Sequence, residues 1–355
     1  MDPTTLFDAR WAHHAGVTTF TRLLLQGLAE VAPPGRWLLW GPESMVGPGW
    51  PGAVHVPTGV DPAAWFGQRS VLAVPEADRA FHPHQTRPVH RLPAASCILD
   101  LIQLEHPSLA IRTAKALRLR ASVRAASVLF TISSSVRDQL VDTFDVDRAS
   151  VTVLELPVDA DASTRIAARR SATPPERVIV AVGRFDRHKN LPRLIEAFAH
   201  TRFASTGGEL HLIGGTEKQL AALGVKRLPT GVRVLGSLDQ PRLEDALAGA
   251  IALVHAALAE GYGLPVTEAL MAGVPVAGSP VPAVTEFGPP GVPTFDPGSI
   301  AGITETIDQT VDLIDAGQYW DRVQRDPWAA ARPSPRRLAE QVLAGLARME
   351  RRAGD

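Results

Sequence analysis

Residues 251–288 read IALVHAALAEGYGLPVTEALMAGVPVAGSPVPAVTEFG, and this stretch decides the fold. An apolar run at 251–258 precedes a glycine-bearing loop, a short helical segment and a second apolar run at 274–277. The order strand, loop, helix, strand predicts a βαβ unit, which belongs to a parallel sheet. Pro265 suits the first helical turn, where a missing N–H costs nothing, and Gly273 stands where a left-handed residue is expected to end the helix.

Two carboxylates bracket the loop of this unit, because Glu260 and Glu268 stand eight residues apart. Gly261 and Gly263 let the backbone approach a ligand closely, and unpaired N–H groups at a helix start favour an anion. Since carboxylates repel phosphate, we expect them to face the neutral hydroxyls of a ribose or sugar ring, which donate hydrogen bonds. A nucleotide sugar carries both groups, an anionic diphosphate for the N–H groups and neutral hydroxyls for the carboxylates. A structural crossover with two solvated glutamates is the alternative at this point.

The whole pattern EGYGLPVTEAL followed by MAGVPVAGS resembles the E-x7-E segment of the family 4 retaining glycosyltransferases. The resemblance implies the α/β GT-B fold, with two Rossmann-like doubly wound parallel-sheet domains, a nucleoside-diphosphate sugar as co-substrate, and no metal ion or other cofactor. It also implies that Glu260 faces the donor sugar, or the charge developing on it, as a catalytic residue. The implied donor-binding residues are Gly261, Tyr262, Gly263, Leu264 and Glu268.

Length and composition indicate a folded enzyme with two domains. The chain has 355 residues, of which 45% are hydrophobic and 21% charged, unlike a disordered chain. The net charge of −1 argues against a dedicated nucleic-acid binder. The single cysteine, Cys97, lies in an apolar run, which predicts a buried inert thiol in a reducing compartment. We find no leader pattern and no apolar run near roughly 18 residues, so we expect a cytoplasmic enzyme.

The first hundred residues predict one lobe of a doubly wound sheet. A strand at Thr5–Ala9 precedes a loop and a helix near Phe20–Val31, and short apolar runs separated by Pro and Gly turns follow. The segment FDARWAHHAGVTTFTRLLLQGL resembles the start of many family 4 enzymes, where a D-x-R stretch and a glycine loop precede the first helix. Gly16, placed in this loop, is therefore a candidate for contact with the donor, and an ordinary turn is the alternative.

Histidines and an aspartate provide further candidates in this half. His82, His84 and His90 lie in FHPHQTRPVHRLP, with no nearby carboxylate or cysteine to complete a metal site. In the resembling family this segment is a loop at the mouth of the cleft, which makes His82 a candidate for sugar contact. The family's His-Asp pair reads Leu99-Asp100 here. Asp100 is thus a candidate site residue, and Leu99 is a departure that leaves the acceptor-side chemistry open.

Residues 109–128, LAIRTAKALRLRASVRAASV, predict a basic helix. One face of its helical wheel carries Ala114, Leu117, Ala121, Ala125 and Val128, and the cations cover the rest. The helix either docks on anionic lipid or packs on the core with a solvated basic face. Because the apolar face is narrow and alanine-rich, we expect it to pack on the core, and membrane contact is not favoured.

A polar segment at 160–176 predicts the domain boundary, since it lacks apolar periodicity. We expect an N-terminal acceptor-binding domain at 1–165 and a C-terminal donor-binding domain at 172–335. The D-x-D at 159–161 stands just before this linker and is interpreted as structural. The last helix, within 336–355, has Leu338, Val342, Leu346 and Met349 on one face. In the family this helix packs back on the N-terminal domain.

The segment RVIVAVGRFDRHKNLPRLIEAF starts the second domain. A strand at 178–182 is followed by Arg184, and Asn190 is expected to cap a helix that has Pro192 in its first turn. Arg184 and Lys189 should stand together at the carboxyl end of the strand, where a planar fork and a point charge suit a diphosphate leaving group. The pattern GR-x4-KN resembles the donor site of the family, which makes both residues catalytic candidates.

Two further strands, at 209–215 and 232–238, end in glycine turns. In the family such loops hold the nucleotide base, so Gly236 is a candidate. The sequence therefore predicts a retaining, metal-independent glycosyltransferase. It would move a sugar, with mannose as one option, from a GDP-, UDP- or dTDP-sugar to a glycan, lipid-linked or small-molecule acceptor. Two alternatives stay open: another GT-B enzyme such as a nucleotide-sugar epimerase or hydrolase, and a catalytically silent binding subunit of a glycan-assembly complex, which Leu99 keeps open.

Overall fold

The computed structural model describes residues 2–10, 15–33, 35–41, 53–56, 76–85 and 92–353. The chain divides into two compact units. Unit 1 comprises Met1–Pro157 together with Pro333–Asp355, and unit 2 comprises Val158–Arg332. Each unit has its own parallel sheet flanked by helices, which confirms the predicted class of two parallel-sheet α/β domains.

The strands are β1 (Thr4–Asp8), β2 (Arg36–Trp40), β3 (Ala53–Val56), β4 (Arg79–His82), β5 (Ala94–Ile98), β6 (Val128–Thr131), β7 (Val151–Val153), β8 (Glu176–Val182), β9 (Glu209–Ile213), β10 (Val232–Gly236), β11 (Ala250–His255) and β12 (Val276–Gly278). The helices are α1 (Ala15–Val31), α2 (Leu109–Arg124), α3 (Ser134–Phe144), α4 (Ala160–Ala172), α5 (Leu191–Ala199), α6 (Arg202–Ser205), α7 (Glu217–Ala222), α8 (Gln240–Gly249), α9 (Leu264–Met271), α10 (Pro282–Thr285), α11 (Ile300–Asp315), α12 (Tyr319–Arg322), α13 (Arg325–Ala330) and α14 (Pro335–Ala353). Short 3₁₀ turns lie at Ile102–Glu105, Arg148–Ser150 and Arg187–Lys189. In the described part of the chain, no helix combines the length and the apolar content needed to cross a membrane.

The sheet of unit 1 has the order β3-β2-β1-β4-β5-β6-β7, and its described strands pair in parallel. The central strands are buried on both faces, because helices cover a parallel sheet on each side. The C-terminal helix α14 packs on α1 within this unit. Its predicted apolar face is confirmed, since Leu338, Val342, Leu346 and Met349 are all buried.

Glycines allow α14 to approach its neighbours closely. A Cβ on Gly27 of α1 would lie 1.9 Å from the carbonyl oxygen of Pro335, and one on Gly345 would lie 2.2 Å from the ring of Phe130. Neither position can carry a larger side chain without moving a helix. The C-terminal segment is therefore an integral layer of unit 1.

Two details of unit 1 differ from the sequence-based expectations. Helix α1 begins at Ala15, so Gly16 lies in its first turn and the prediction that Gly16 lies in a loop was wrong. His82, expected in a loop, is the buried last residue of β4. The apolar run SVLAV at 70–74, one of the short runs expected to form strands, and His90 lie outside the described residues. Cys97 is fully buried in β5, and burial raises the pKa of its thiol, as expected of an inert cysteine.

Helix α2 does not pack as its sequence pattern predicts. Only Leu119, Ser122 and Val123 are buried, all in its second half. The face expected to contact the core is exposed at Ala114, Leu117, Ala121 and Ala125, and Val128 belongs to β6. The prediction was wrong because the longer apolar residues of this helix are divided between two sides. The side with Leu119 and Val123 contacts the core, and the alanine-rich side faces outward.

The sheet of unit 2 has the order β10-β9-β8-β11-β12, all parallel. The predicted βαβ unit is confirmed, with β11 and β12 as neighbours and α9 between them in sequence. Pro265 lies in the first turn of α9. Gly273 has a φ of 77° and ends the helix. Its N–H donates to Leu270 at 3.1 Å, and that of Val274 donates to Ala269 at 2.9 Å, so the last carbonyls of α9 are satisfied.

Several segments of unit 2 are helical where the sequence analysis predicted no helix, among them α4 and α11. Residues 160–172, interpreted as part of a linker, form α4, and the Asp159 carboxylate caps this helix by accepting from the N–H of Ala162 at 3.0 Å. The structural interpretation of the D-x-D is therefore supported. Helix α11, in the Pro-rich region 289–335, was not predicted. Its Ser299 cap and the spacing of the buried residues Ile303, Ile307 and Val311 are the signals that could have identified it.

Candidate active site

The order of the second sheet places its reversal point between β8 and β11. Ligands of open α/β sheets bind at the carboxyl ends of the strands at such a point. The segments that follow these strands are residues 183–190 and 256–263. They are joined by a hydrogen bond from the N–H of Leu258 to the carbonyl oxygen of His188, at 2.7 Å. The sequence-predicted residues Arg184, Lys189 and Glu260 all lie on these two segments.

Lys189 and Glu260 form an ion pair that bridges the two segments. Their side chains are only 14% and 12% exposed. Burial by itself would raise the pKa of Glu260, but its contact with His255 and the positive charge of Lys189 outweigh burial and hold that pKa at about 2. The carboxylate is therefore ionised at neutral pH, and it neutralises the cation expected to bind a diphosphate.

His255, the last residue of β11, is a member of this cluster that the sequence reading missed. It is 3% exposed, and its Nε2 lies 3.2 Å from Oε1 of Glu260. The distance is short, but the alignment of this contact is poor, because Nε2 has no well-aligned hydrogen-bond partner among the described residues. A single histidine in an apolar run carries no sequence signal for this role, because only the fold brings the strand end beside Glu260.

Gly183 makes the position of Lys189 possible. Its φ of 144° is one that residues with a side chain rarely adopt. A Cβ at this position would lie 3.0 Å from Cε and 3.2 Å from Nζ of Lys189. The glycine thus lets the lysine side chain lie directly over the end of β8, in reach of Glu260.

Arg184 and Lys189 lie on the same segment but have different partners. Arg184 is 68% exposed, and its Nη2 donates to Oδ2 of Asp186 at 2.7 Å. Asn190, which was expected to cap α5 with its side chain, makes no such bond. Its amide nitrogen instead donates to the carbonyl oxygen of Pro297 at 2.7 Å, and its oxygen accepts from Arg193 at 3.0 Å. The capping prediction was wrong because Asn190 adopts the left-handed conformation and turns its side chain away from the helix start.

The start of α9 supplies backbone groups to the same region. Gly263 precedes the helix with a φ of 103°, and a Cβ there would lie 2.9 Å from that of Ala283. In the described part of the chain, the N–H groups of Gly263 and Leu264 have no hydrogen-bond partner, as is usual for the first amides of a helix. Glu268 lies one turn further along α9 and is half-buried. Gly261 is buried in the loop.

The side chain of Tyr262 is directed into the protein and is 3% exposed. Its ring stacks on Phe287 at 4.9 Å, and its hydroxyl accepts a hydrogen bond from Nη2 of Arg332 at 2.6 Å. Burial raises the pKa of Tyr262 to about 12 despite the nearby guanidinium. Any ligand contact of Tyr262 is thus left to its backbone. Gly236 ends β10 with a φ of 76°, and its carbonyl oxygen accepts from the N–H of Gly214 at 2.8 Å.

A second buried polar cluster lies in unit 1, at the carboxyl ends of β1 and β4. Arg10 donates from Nε and Nη2 to the two carboxylate oxygens of Asp8, at 2.6 and 2.7 Å. Nδ1 of His82 lies 2.9 Å from Oδ2 of the same carboxylate. Burial opposes ionisation of Asp8, but Arg10 and His82 together hold its pKa far below the usual range. His82 is therefore a partner of Asp8, a contact that the sequence reading did not foresee.

The other candidates of unit 1 are placed as follows. Asp100 follows β5, is half-buried, and accepts from the N–H of Ile102 at 3.1 Å. Leu99 is buried, and its N–H donates to Oε1 of Gln85 at 3.2 Å. Gly16 is exposed, and a Cβ there would meet nothing within 4 Å. The structure thus gives Gly16 no steric reason to be a glycine.

Comparison with known proteins finds a family match within the second unit. Residues 164–317 match the family model of the glycosyl transferases group 1. The chain is 30% identical over 209 residues to a glycogen synthase of Mycobacterium tuberculosis, a match that covers 57% of this chain and 50% of that protein. It is 29% identical over 170 residues to an MMP alpha-(1->4)-mannosyltransferase of Mycolicibacterium hassiacum, covering 46% and 39%. The matches thus span about half the length of these relatives or less.

A solved structure resembles the whole chain. The Anabaena protein HepE, crystallised in complex with UDP-glucose, is similar with a TM-score of 0.73 over 97% of this chain and 99% of that one. The sequence identity is 16%, so the similarity is one of fold. The chain therefore has the GT-B fold, and the match to the family model of the glycosyl transferases group 1 is confined to residues 164–317.

Proposed function

We propose that the protein is a retaining glycosyltransferase that moves a sugar from a nucleoside-diphosphate sugar to an acceptor hydroxyl. The observation that carries the proposal is the Lys189–Glu260 pair at the reversal point of the second sheet, beside the start of α9. A cation, free amides and a carboxylate meet there, as binding of a diphosphate joined to a sugar requires. By their names, the two relatives described above are a glycogen synthase and a mannosyltransferase, which supports the same class.

In this proposal the leaving diphosphate replaces Glu260 as the ion-pair partner of Lys189. The ammonium then faces phosphate oxygens, and the exposed Arg184 exchanges its weak surface pair with Asp186 for the same group. The amides of Gly263 and Leu264 complete the anion site. These groups stabilise the negative charge that develops as the bond between the sugar and the phosphate breaks, a role that a metal ion plays in other transferases.

The carboxylates have separate roles. Glu260, released from Lys189, accepts hydrogen bonds from the donor sugar or stabilises the positive charge that develops on it. Glu268 accepts from the ribose hydroxyls. The acceptor oxygen attacks the anomeric carbon on the face that the diphosphate leaves, and its proton passes to a phosphate oxygen of the donor. The configuration at that carbon is thereby retained.

A binding experiment tests the donor site. We expect one of UDP, GDP, dTDP and ADP to raise the thermal midpoint of the full chain, because a ligand of the folded state stabilises it by mass action. Arg184→Ala and Lys189→Ala should weaken this binding at least roughly tenfold, the size of one charge-assisted contact. Arg187→Ala is the matched control, since this exposed arginine lies on the same segment and has no proposed role. A midpoint shift that survives both site substitutions would remove the proposed anion site.

Product analysis separates the remaining candidates. Incubation with the donor sugar and an acceptor panel should give a glycoside of retained configuration, and added EDTA should not lower the rate. A rearranged or hydrolysed donor would indicate an epimerase or hydrolase instead. The buried Leu99 at the family's histidine position favours a second candidate, a binding subunit without activity. That candidate predicts donor binding without any turnover of the donor.

A further inference from the structure

One arginine side chain holds the loop that precedes α9. Nη2 of Arg332 donates to the hydroxyl of Tyr262 at 2.6 Å, and its Nη1 donates to the carbonyl oxygen of Phe287 at 3.0 Å. The same carbonyl oxygen accepts from Nε1 of Trp328. Because the ring of Phe287 stacks on that of Tyr262, both hydrogen bonds of the guanidinium act on one aromatic pair. A guanidinium presents its donors in a fixed plane, so it sets the orientation of this pair as well as its position.

Tyr262 is also fixed through its backbone. Its carbonyl oxygen accepts from the N–H of Ala283 in α10, at 2.7 Å. The side chain is 3% exposed, and a buried phenolic hydroxyl needs a hydrogen-bond partner. Among the described residues, Arg332 supplies that partner. Without the arginine, the hydroxyl would regain a partner only if water reached it through a shift of the loop.

The residue that Arg332 holds stands directly before the backbone groups of the proposed anion site. Gly263 and Leu264 follow Tyr262, and their N–H groups have no hydrogen-bond partner in the described part of the chain. Amides stabilise an anion strongly when their direction is fixed before the ligand binds. A change in the backbone of Tyr262 would turn the amides that follow it. The buried side chain of Tyr262 therefore controls groups that the proposal places against the diphosphate.

We propose that Arg332 is a positioning residue of the donor site: through the hydroxyl of Tyr262 it keeps the amides at the start of α9 in the direction that binds a diphosphate. The inference rests on the proposed function, because it adds a residue to the same anion site. Arg332 is the last residue of unit 2 and lies 70 residues from Tyr262 in the chain. The family match at 164–317 does not reach it.

Nucleotide binding, measured by calorimetric titration, tests the proposal. The probe is whichever of UDP, GDP, dTDP and ADP the wild type binds most tightly. Tyr262→Phe, which removes only the hydroxyl, and Arg332→Gln should each weaken its binding at least roughly fivefold, because a hydrogen bond from a charged donor is lost. Binding of the corresponding nucleoside, which has no phosphate, should stay unchanged. The double variant should be no weaker than either single variant, since both changes remove the same contact.

Tyr319→Phe is the matched control. Tyr319 is the other tyrosine of the chain and is buried in unit 2, and its hydroxyl makes hydrogen bonds of 2.7 Å with the N–H and the carbonyl oxygen of Val276. Its loss should lower the thermal midpoint at least as much as Tyr262→Phe does, yet leave diphosphate affinity unchanged. An equal loss of affinity in this control would indicate general destabilisation and overturn the proposal. Wild-type affinity in Tyr262→Phe or Arg332→Gln would also overturn it.

Hydrogen exchange separates failure of this inference from failure of the proposed function. Without nucleotide, the amide of Ala283 should exchange about fivefold faster in Tyr262→Phe and Arg332→Gln than in the wild type, because it donates to the carbonyl oxygen that the contact holds in place. Tyr319→Phe should leave this rate unchanged. If the wild type binds none of the four diphosphates, the proposed function is refuted, and the role of Arg332 with it. Diphosphate binding with unchanged exchange at Ala283 in the variants refutes the positioning role alone.

Discussion

At the residue scale, the Lys189–Glu260 pair combines a structural contact with a proposed binding role. Both side chains are largely buried, so each is costly to leave without its partner. This coupling means that a substitution at Glu260 changes the stability of unit 2 as well as the donor site. Stability and binding must therefore be measured separately for this pair.

Glu260→Gln should lower the free energy of unfolding by roughly 3 kcal/mol at neutral pH, because Lys189 is left half-buried without a counter-charge. The double variant with Lys189→Met should recover part of the loss, since no uncompensated charge remains. Urea unfolding measures both. Glu196→Gln, at an exposed carboxylate of α5, should stay within about 0.5 kcal/mol of the wild type. Equal stability of all three variants would show that the ion pair does not contribute.

The same variant has a defined pH dependence. The pKa of Glu260 is depressed from 4.5 to about 2 in the folded protein, so its contribution to stability is fully present above pH 4.5 and is lost as the pH falls toward 2. The difference in unfolding free energy between wild type and Glu260→Gln should therefore be constant above that window and shrink within it. A difference that grows on acidification would contradict the ionised pair.

Single residues differ in how well the sequence predicts their place in the candidate site. Glu260, Lys189 and Arg184 could be identified because they stand in glycine-bearing patterns that follow apolar strands. His255 was missed because it is an isolated polar residue at the end of an apolar strand, and no pattern predicts its contact with Glu260. Asp8 stands in the D-x-R stretch, but its contact with His82, 74 residues away, is not visible in a local pattern. Leu264 and Gly263 were expected to contribute amides, and those amides have no hydrogen-bond partner among the residues that the structure describes.

At the element scale, the end of β8 sets the position of the donor-site lysine. Gly183→Ala should destabilise the protein by about 1–3 kcal/mol, because its φ is strained for alanine. It should also weaken nucleotide binding, since the added Cβ contacts Lys189 at 3.0 Å. Gly249→Ala is the control, because a Cβ on this residue at the end of α8 would meet nothing within 4 Å. That change should leave binding unchanged and stability equal or slightly higher.

The helices and strands that were predicted correctly are those with a simple pattern of apolar residues. The β11–α9–β12 unit was predicted from its apolar runs, and the apolar face of α14 was predicted from the spacing of its apolar residues. Helix α4 was read as a linker because its sequence is rich in alanine and arginine and short of large apolar residues. In the structure its arginines hold it to α8, where Glu244 is 2% exposed and accepts from Arg165 and Arg169. An interaction across 75 or more residues is not visible in a local pattern.

At the scale of the whole molecule, the chain completes unit 1 with its last helix. Leu346→Ala should destabilise unit 1 by about 2–5 kcal/mol, because a fully buried side chain would be replaced by a cavity against α1. Leu117→Ala, at an exposed leucine, should cost less than about 0.5 kcal/mol. Scanning calorimetry with and without a bound nucleotide measures the effect. We expect Leu346→Ala to leave nucleotide affinity unchanged, since every residue of the proposed anion site lies in unit 2.

The sequence by itself determined the fold class, the βαβ unit at 251–278 and the candidate residues of the proposed donor site. These features depend on local periodicity and on the positions of glycine and proline, which act on the backbone of their immediate neighbours. Only the tertiary structure decided which charges meet. It paired Lys189 with Glu260 and His82 with Asp8, and it turned the alanine-rich side of α2 outward. Those outcomes depend on which strand ends become neighbours and which helix side contacts the sheet, and both follow from packing between segments that are distant in the chain.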